Sequence, residues 1–460
     1  MVKSKVLFAC RECGASYPKW QGQCATCGEW NCLEEVKVSQ KQKKSGVAAG
    51  VGFSGSGTEI TRLAEVKLES SQRILTHIHE FDRVLGGGLV PGSVVLIGGE
   101  PGAGKSTLLI QMASEIARDL GCVYVSGEES IQQIASRAIR LGISDREVQL
   151  ATLTDVGHVI SLVEHTKPTV VVVDSIQVMH SDEIESVPGS VSQVRECASE
   201  LTQLAKQTGT IFVLIGHVTK EGNLAGPKVL EHMIDCFVML EAPIGSRFRM
   251  LRGIKNRFGA VNELGVFAMT DRGLREVANP SAIFLERTTE PTAGSVVTVT
   301  WEGTRPLLVE IQALVDDVQG GYPRRVSVGL DTQRLAMHLA IMHRHCGISL
   351  ADQDVFANVT GGIKVAETAV DLATLIAVYS SFRNRALPHD LVVFGELGLT
   401  GEIRPVPNGQ ERLREVQKHG FTRAIVPLAN KAKKPFAGVE VSYVPTLSSA
   451  LDVLNEILTG

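Results

Sequence analysis

The sequence predicts an α/β protein with a four-cysteine zinc finger in front of its core and a separate α+β domain behind it. Three observations carry this expectation. Apolar β-branched runs alternate with helical segments between about 61 and 280. One such run leads into a glycine-rich loop with the spacing that cradles phosphates. Two C-x-x-C pairs stand within the first 27 residues.

The zinc finger occupies residues 1–36. Cys10-x-x-Cys13 and Cys24-x-x-Cys27 give two knuckles that can wrap four thiolates around one Zn²⁺. A segment this short has no core of its own, so metal must supply folding energy. Cys32 belongs to neither knuckle and is assigned no ligand role. Trp20 and Trp30 are read as packing on the knuckles, with stacking on single-stranded bases as the alternative. Residues 37–60 follow as a flexible linker, with Lys41, Lys43 and Lys44 and then glycines among serines.

The α/β core spans 61–280. Ser93–Ile97, Cys122–Val125, Val148–Ala151, Val170–Val173 and Thr210–Ile215 read as continuous apolar strands. Strands of that kind are buried on both faces, and their alternation with helices at Leu108–Leu120 and Val191–Gln207 implies a parallel sheet. Asp235–Glu241, Arg247–Ile254 and Val266–Met269 are expected as antiparallel additions at one edge. Residues 281–460 put strands first and helices later, which marks a second domain of α+β type.

Gly99, Glu100, Pro101, Gly102, Ala103, Gly104, Lys105 and Ser106 fit G-x-x-x-x-G-K-[ST] between a strand and a helix, and Thr107 continues the binding set. The glycines let backbone N–H groups surround a phosphate. The helix start adds a favourable dipole. Lys105 supplies charge to the β- and γ-phosphates of ATP, and Ser106 can ligate Mg²⁺. The run Thr169–Val173 ends in Asp174, a carboxylate placed to hold the magnesium shell. After Cys122–Val125 come Glu128 and Glu129. An acid at that strand end can face the γ-phosphate and activate water; Glu128 is chosen and Glu129 is the alternative.

A net charge of −4 excludes a global basic field, so any DNA contact must come from local patches. No apolar run approaches the ~20 residues of a membrane span, and the start of the chain lacks a signal-peptide core. A cytoplasmic location follows as an expectation. There nine cysteines are not a disulfide framework.

The stretch Phe81-Asp82-Arg83-Val84-Leu85-Gly86-Gly87-Gly88-Leu89, with Pro91-Gly92 and the phosphate loop, resembles the RecA/KaiC superfamily. Lys255-Asn256-Arg257-Phe258-Gly259, together with the N-terminal cysteines and the long C-terminal domain, narrows the resemblance to the bacterial RadA (Sms) family. That resemblance implies a RecA-like P-loop ATPase in DNA repair. It further implies a homo-oligomeric, hexameric ring that works with RecA recombinase on single-stranded and branched DNA and drives branch migration. Glu128 then matches the water-activating glutamate, and His217 the position of a γ-phosphate sensor. Lys255 and Arg257 fit cations that reach a neighbouring subunit's ATP. The DNA loops are Ser181–Gln193 and Thr219–Glu231, poor in cations: Lys220, Lys228 and, just past the first loop, Arg195.

The C-terminal domain resembles the proteolytic domain of Lon protease in Gly361-Gly362-Ile363, the helix from Glu367 and the run Gly395–Val406. The serine position of that family falls near Ala369 and the lysine position near Gln410. Neither side chain can act as nucleophile or base. The expectation is a protease-dead domain, with Arg383, Arg385, Lys431, Lys433 and Lys434 offering local charge for DNA or simply solvated surface. The competing readings are a KaiC-like regulatory ATPase acting on protein partners and an ATP-dependent protease; the missing serine and lysine argue against the protease.

Overall fold

The structure is a computed structural model. It describes residues 5–10, 16–26, 28–38, 73–144, 146–217, 229–242, 246–281, 285, 292–318 and 320–459. The linker at 37–60 lies almost wholly outside the described residues, as do Lys220 and Lys228. Two compact units divide the chain at Val277/Ala278.

The first unit begins with an antiparallel ribbon, β1 (Lys5–Cys10), β2 (Ser16–Tyr17) and β3 (Leu33–Val38). Helix α1 (His79–Val84) precedes β4 (Val94–Gly99), which runs into α2 (Lys105–Ile116). Then come β5 (Cys122–Ser126), α3 (Ile131–Leu141), β6 (Gln149–Thr152), α4 (Val156–Thr166) and β7 (Val170–Asp174). The short β8 (Ile184–Glu185), α5 (Val191–Thr208), β9 (Ile211–His217) and α6 (Val229–Met233) follow. The unit closes with β10 (Cys236–Glu241), β11 (Phe248–Asn256), β12 (Leu264–Thr270) and β13 (Gly273–Glu276).

These strands make one nine-stranded sheet in the order β13-β12-β11-β10-β4-β9-β7-β5-β6. β4 lies inside it and is buried at every position. Val95 and Ile97 join the apolar core on one face, Val94 and Leu96 the core on the other. This two-sided burial is what the continuous apolar runs encode. One expectation is corrected. β10 was expected to be antiparallel, yet it pairs parallel with β4, and antiparallel pairing starts only between β10 and β11. β3 also pairs antiparallel with β8, so the ribbon's sheet includes the segment that follows β7.

In the second unit, seven strands lie side by side in the order Arg325–Val328, Gln353–Val359, Arg305–Asp317, Ser295–Glu302, Leu391–Val393, Arg423–Pro427 and Glu440–Val444. The helix Asp371–Arg383 packs on this sheet and is buried from Asp371 through Ser380. Its first residue is the unit's main polar anchor. Asp371 is 1% exposed and accepts hydrogen bonds from Arg334 at 2.7 and 2.5 Å and from the Leu397 amide at 3.1 Å, with His338 Nε2 at 3.4 Å.

Burial works to raise the Asp371 carboxyl, but Arg334 and His338 prevail and hold it below the usual carboxylate range. A carboxyl depressed by folding adds stability above its unfolded pKa of about 3.9 and gives it up as pH falls through the lower folded value. Arg334→Met is therefore expected to destabilise this unit by about 3 kcal/mol at neutral pH. The loss should shrink at pH 3, where the carboxylate begins to protonate. Urea unfolding at both pH values checks this; an equal loss at pH 3 and pH 7 would reject the ion pair as its source.

Candidate nucleotide and metal sites

The phosphate loop turns between β4 and α2. Gly102 and Gly104 have φ of +80° and +107°, a conformation that side-chain-bearing residues avoid. The loop is braced from β11, where Arg249 Nε donates to the Ala103 carbonyl at 3.1 Å. Lys105 opens α2 and is buried, its Nζ donating to the carbonyls of Gly99 at 2.8 Å and Glu100 at 3.0 Å. Burial lowers its pKa, opposed by the charges of Asp174 and Glu128. Ser106 and Thr107 follow in the first turn.

Asp174 ends β7 and is buried. Tyr124 of β5 donates its hydroxyl to Asp174 Oδ2 at 2.6 Å, and Ser106 also hydrogen-bonds the carboxylate. Burial nonetheless raises the Asp174 pKa, with Glu128 and Glu129 adding to the effect.

The two neighbouring glutamates are held differently. Glu129 forms an ion pair with Arg137 of α3. Glu128 instead accepts a hydrogen bond from Ser175 Oγ, and His217 Nε2 lies 3.3 Å from the same oxygen, Oε1. His217 thus connects the end of β9 to the acid at the end of β5. Ser175 was not foreseen. A hydroxyl next to a strand-end acid is too common a feature to stand out in sequence.

Lys255 and Arg257 lie in and just after β11, and within the subunit they grip the end of α6. Lys255 Nζ donates to the carbonyls of Glu231 and, at 2.9 Å, Ile234. Burial and the adjacent Arg257 lower its pKa. Arg257 donates to the His232 carbonyl at 3.0 Å and pairs with Asp235 Oδ1 at 3.2 Å. Asp235 is 2% exposed; its Oδ2 accepts from Lys206 Nζ at 2.8 Å and from the Val94 amide at 3.0 Å. The two sequence motifs also touch. Gly86, at φ +80°, packs so closely that a Cβ there would lie 3.2 Å from the Gly259 Cα.

Of the two loops read as DNA contacts, the first is described throughout. Gln193 organises it, donating to the carbonyls of Ser181, Ile184 and Ser186 and accepting from the Ser181 amide at 2.8 Å. Its exposed charges are Asp182, Glu183 and Glu185. The second loop lies outside the described residues up to 228.

In the ribbon, Cys10, Cys24 and Cys32 are buried, and their sulfurs all lie within 4.8 Å of one another. Four thiolates about 2.3 Å from a tetrahedral zinc stand roughly 3.8 Å apart, so the cluster fits that metal. Cys13 and Cys27 lie outside the described residues. Two observations bear on the sequence reading. Cys32, left out of the ligand set, sits in the cluster with its sulfur 3.3 Å from that of Cys10. Trp20 and Trp30, read as packing on the knuckles, are 57% and 69% exposed.

In the second unit, Ala369 is buried and Gln410 exposed at the start of the helix Gly409–Lys418. Between their segments the fully buried Arg412 pairs with the half-buried Glu367. Arg383, Arg385, Lys431, Lys433 and Lys434 are all exposed.

Comparison with known proteins adds the following. The AAA domain family model matches residues 61–223, the rubredoxin metal binding domain 8–35, and the model of subunit ChlI of Mg-chelatase 321–430. The chain is 56% identical over 459 residues to the DNA repair protein RadA of Salmonella typhimurium, covering 98% of this chain and 99% of that one. The DNA repair protein RadA of Escherichia coli matches to the same extent. That of Bacillus subtilis is 44% identical over 458 residues, again covering 98% and 99%.

A ribbon this small, with a buried thiol cluster, is expected to need its metal to fold, and this is testable without any activity. Chelation of the zinc should abolish amide-exchange protection in residues 5–38 and leave β4, β7 and β9 protected. Protection of the ribbon that survives metal removal would mean its fold does not need the metal.

Proposed function

The chain belongs to the DNA repair protein RadA family, and on that premise we propose that it is a DNA-stimulated ATPase that drives branch migration of recombination intermediates. It acts in the cytoplasm as a hexameric ring, with RecA recombinase as partner and single-stranded and branched DNA as substrate.

In this reading the loop Gly99–Thr107 holds the phosphates of ATP, and Lys105 leaves its carbonyl partners to meet the β- and γ-oxygens. Ser106 and Asp174 would hold Mg²⁺, which when bound would supply positive charge beside the phosphates. Glu128 takes the proton of the attacking water. Ser175 and His217 both engage Oε1, so Oε2 is the oxygen that accepts it. Glu129 is tied to Arg137 and serves structure instead. Cys10, Cys13, Cys24 and Cys27 hold the zinc.

The observation that carries the DNA coupling is the Asp235 network. It joins the start of the phosphate-loop strand, through Val94, to Arg257, and Arg257 and Lys255 hold the helix that follows the second DNA loop. In a ring, the same two cations would reach a neighbour's ATP, so binding there would compete with their grip on α6 and shift that loop.

The test is ATP turnover with and without single-stranded DNA. DNA should stimulate the natural chain. Lys105→Ala should abolish turnover and Glu128→Gln should lower it by about 100-fold or more, while Glu129→Gln stays within a few-fold. Lys255→Ala should keep a basal rate that DNA no longer raises. Turnover indifferent to every DNA form would reject the motor and favour a regulatory ATPase with protein partners.

A further inference from the structure

The sequence gives the ribbon segment five cysteines, one more than a four-coordinate metal needs. Sequence spacing supplies Cys10, Cys13, Cys24 and Cys27 as two knuckles, while the structure brings Cys32 into the same buried cluster. We propose that Cys32 is a built-in oxidation partner for the zinc ligand Cys10, so that peroxide converts the pair to a disulfide and expels the metal.

The backbone already permits the bond. Cys10 is the cross-strand partner of Leu33 in the β1–β3 ladder, which makes Cys32 the residue next to its partner. Successive residues of a regular strand point to opposite faces, but Cys32 stands just outside β3 and its sulfur meets that of Cys10. The two sulfurs lie 3.3 Å apart, and closing to a bond of about 2.05 Å needs only small side-chain rotations. Cys24 stands in the same cluster, its sulfur within 4.8 Å of both, and has the Tyr17 hydroxyl 3.3 Å away.

The chemistry balances with a peroxide as the named oxidant. Cys32 sulfur attacks the O–O bond, forms a sulfenic acid and releases one water. The Cys10 thiolate then displaces the hydroxyl from that sulfur, and with a proton from solvent a second water leaves. The two sulfurs together give up two electrons, and peroxide is reduced to two waters. With its sulfur in the disulfide, Cys10 would no longer offer a thiolate, and a structural zinc held by the remaining thiolates alone would be released. Reduction by a thiol restores both sulfurs.

The remaining described cysteines of this unit do not compete. Burial pushes the thiols of Cys122, Cys197 and Cys236 up to about 12, which keeps them protonated and unreactive. The consequence reaches the ATPase sheet, because β3, which starts right after Cys32, is hydrogen-bonded to β8 in the loop that follows the Asp174 strand.

The experiment treats the full-length, zinc-loaded chain with a few equivalents of hydrogen peroxide. Released zinc is followed with a chromogenic chelator, and disulfides are mapped by non-reducing peptide mass spectrometry. The natural chain should lose zinc about tenfold faster than Cys32→Ser, with Cys10 joined to Cys32, and dithiothreitol with added zinc should reverse the change. Cys346→Ser should behave as the natural chain. Equal zinc loss from Cys32→Ser would overturn the proposal, and so would a disulfide within either knuckle. A Cys32→Ser protein purified without zinc would overturn it as well, since Cys32 would then be an obligate ligand. Where that variant does not fold, the disulfide map of the natural chain decides alone.

Discussion

A buried carboxylate with no partner is among the costliest features a fold can contain, and Asp235 is placed so that it must never lack one. Its two oxygens are shared by Lys206 from α5, Arg257 from the strip after β11, and the amide of Val94 at the start of β4. Removing any donor leaves charge in the sheet's interior. The constraint therefore fixes three elements against the phosphate-loop strand at once. The pentapeptide that carries Arg257 also packs its Gly259 closely against Gly86 in the glycine turn after α1.

The nucleotide end obeys a related rule, with charges held apart until a ligand arrives. Lys105 satisfies itself on loop carbonyls, while burial raises Asp174 and Tyr124 and Ser106 supply the hydrogen bonds that keep it in place. Glu128 and Glu129 differ by one position in sequence and by everything in environment. An ion pair immobilises one; a hydroxyl and an imidazole orient the other toward the centre of the site. Their sequence positions alone left the choice open. The deciding partners, Arg137, Ser175 and His217, come from three other elements.

What was legible in the sequence follows the strength of its periodic signals. The strands of the parallel sheet are uninterrupted apolar runs because both faces are covered, and those were found to within a residue or two. The direction of β10 was not readable, since Cys236–Glu241 is apolar on both faces and carries no mark of which neighbour it joins. Gln353–Val359 mixes polar and apolar residues as a half-buried strand does, and Glu440–Val444 lies at a sheet edge with few buried positions, so neither gives the uninterrupted apolar signal of the first unit's strands. Cys32 escaped for a different reason. Ligand spacing is a local code, whereas Cys32 returns to Cys10 through strand pairing that no spacing rule describes.

The loop after β7 joins these observations. Its exposed residues Asp182, Glu183 and Glu185 carry negative charge, so its side chains would repel a phosphate backbone. Gln193 nevertheless holds it in a defined shape, and β3 adds a strand to it. A loop that is rigidly built yet electrostatically wrong for phosphates is better suited to transmit position than to grip a backbone. On that view the zinc ribbon is not an appendage. Its strand β3 pairs with β8 in the segment that follows Asp174, so an event that loosens the ribbon would remove that segment's strand partner. Any electrostatic attraction for DNA would then have to come from cations on other surfaces.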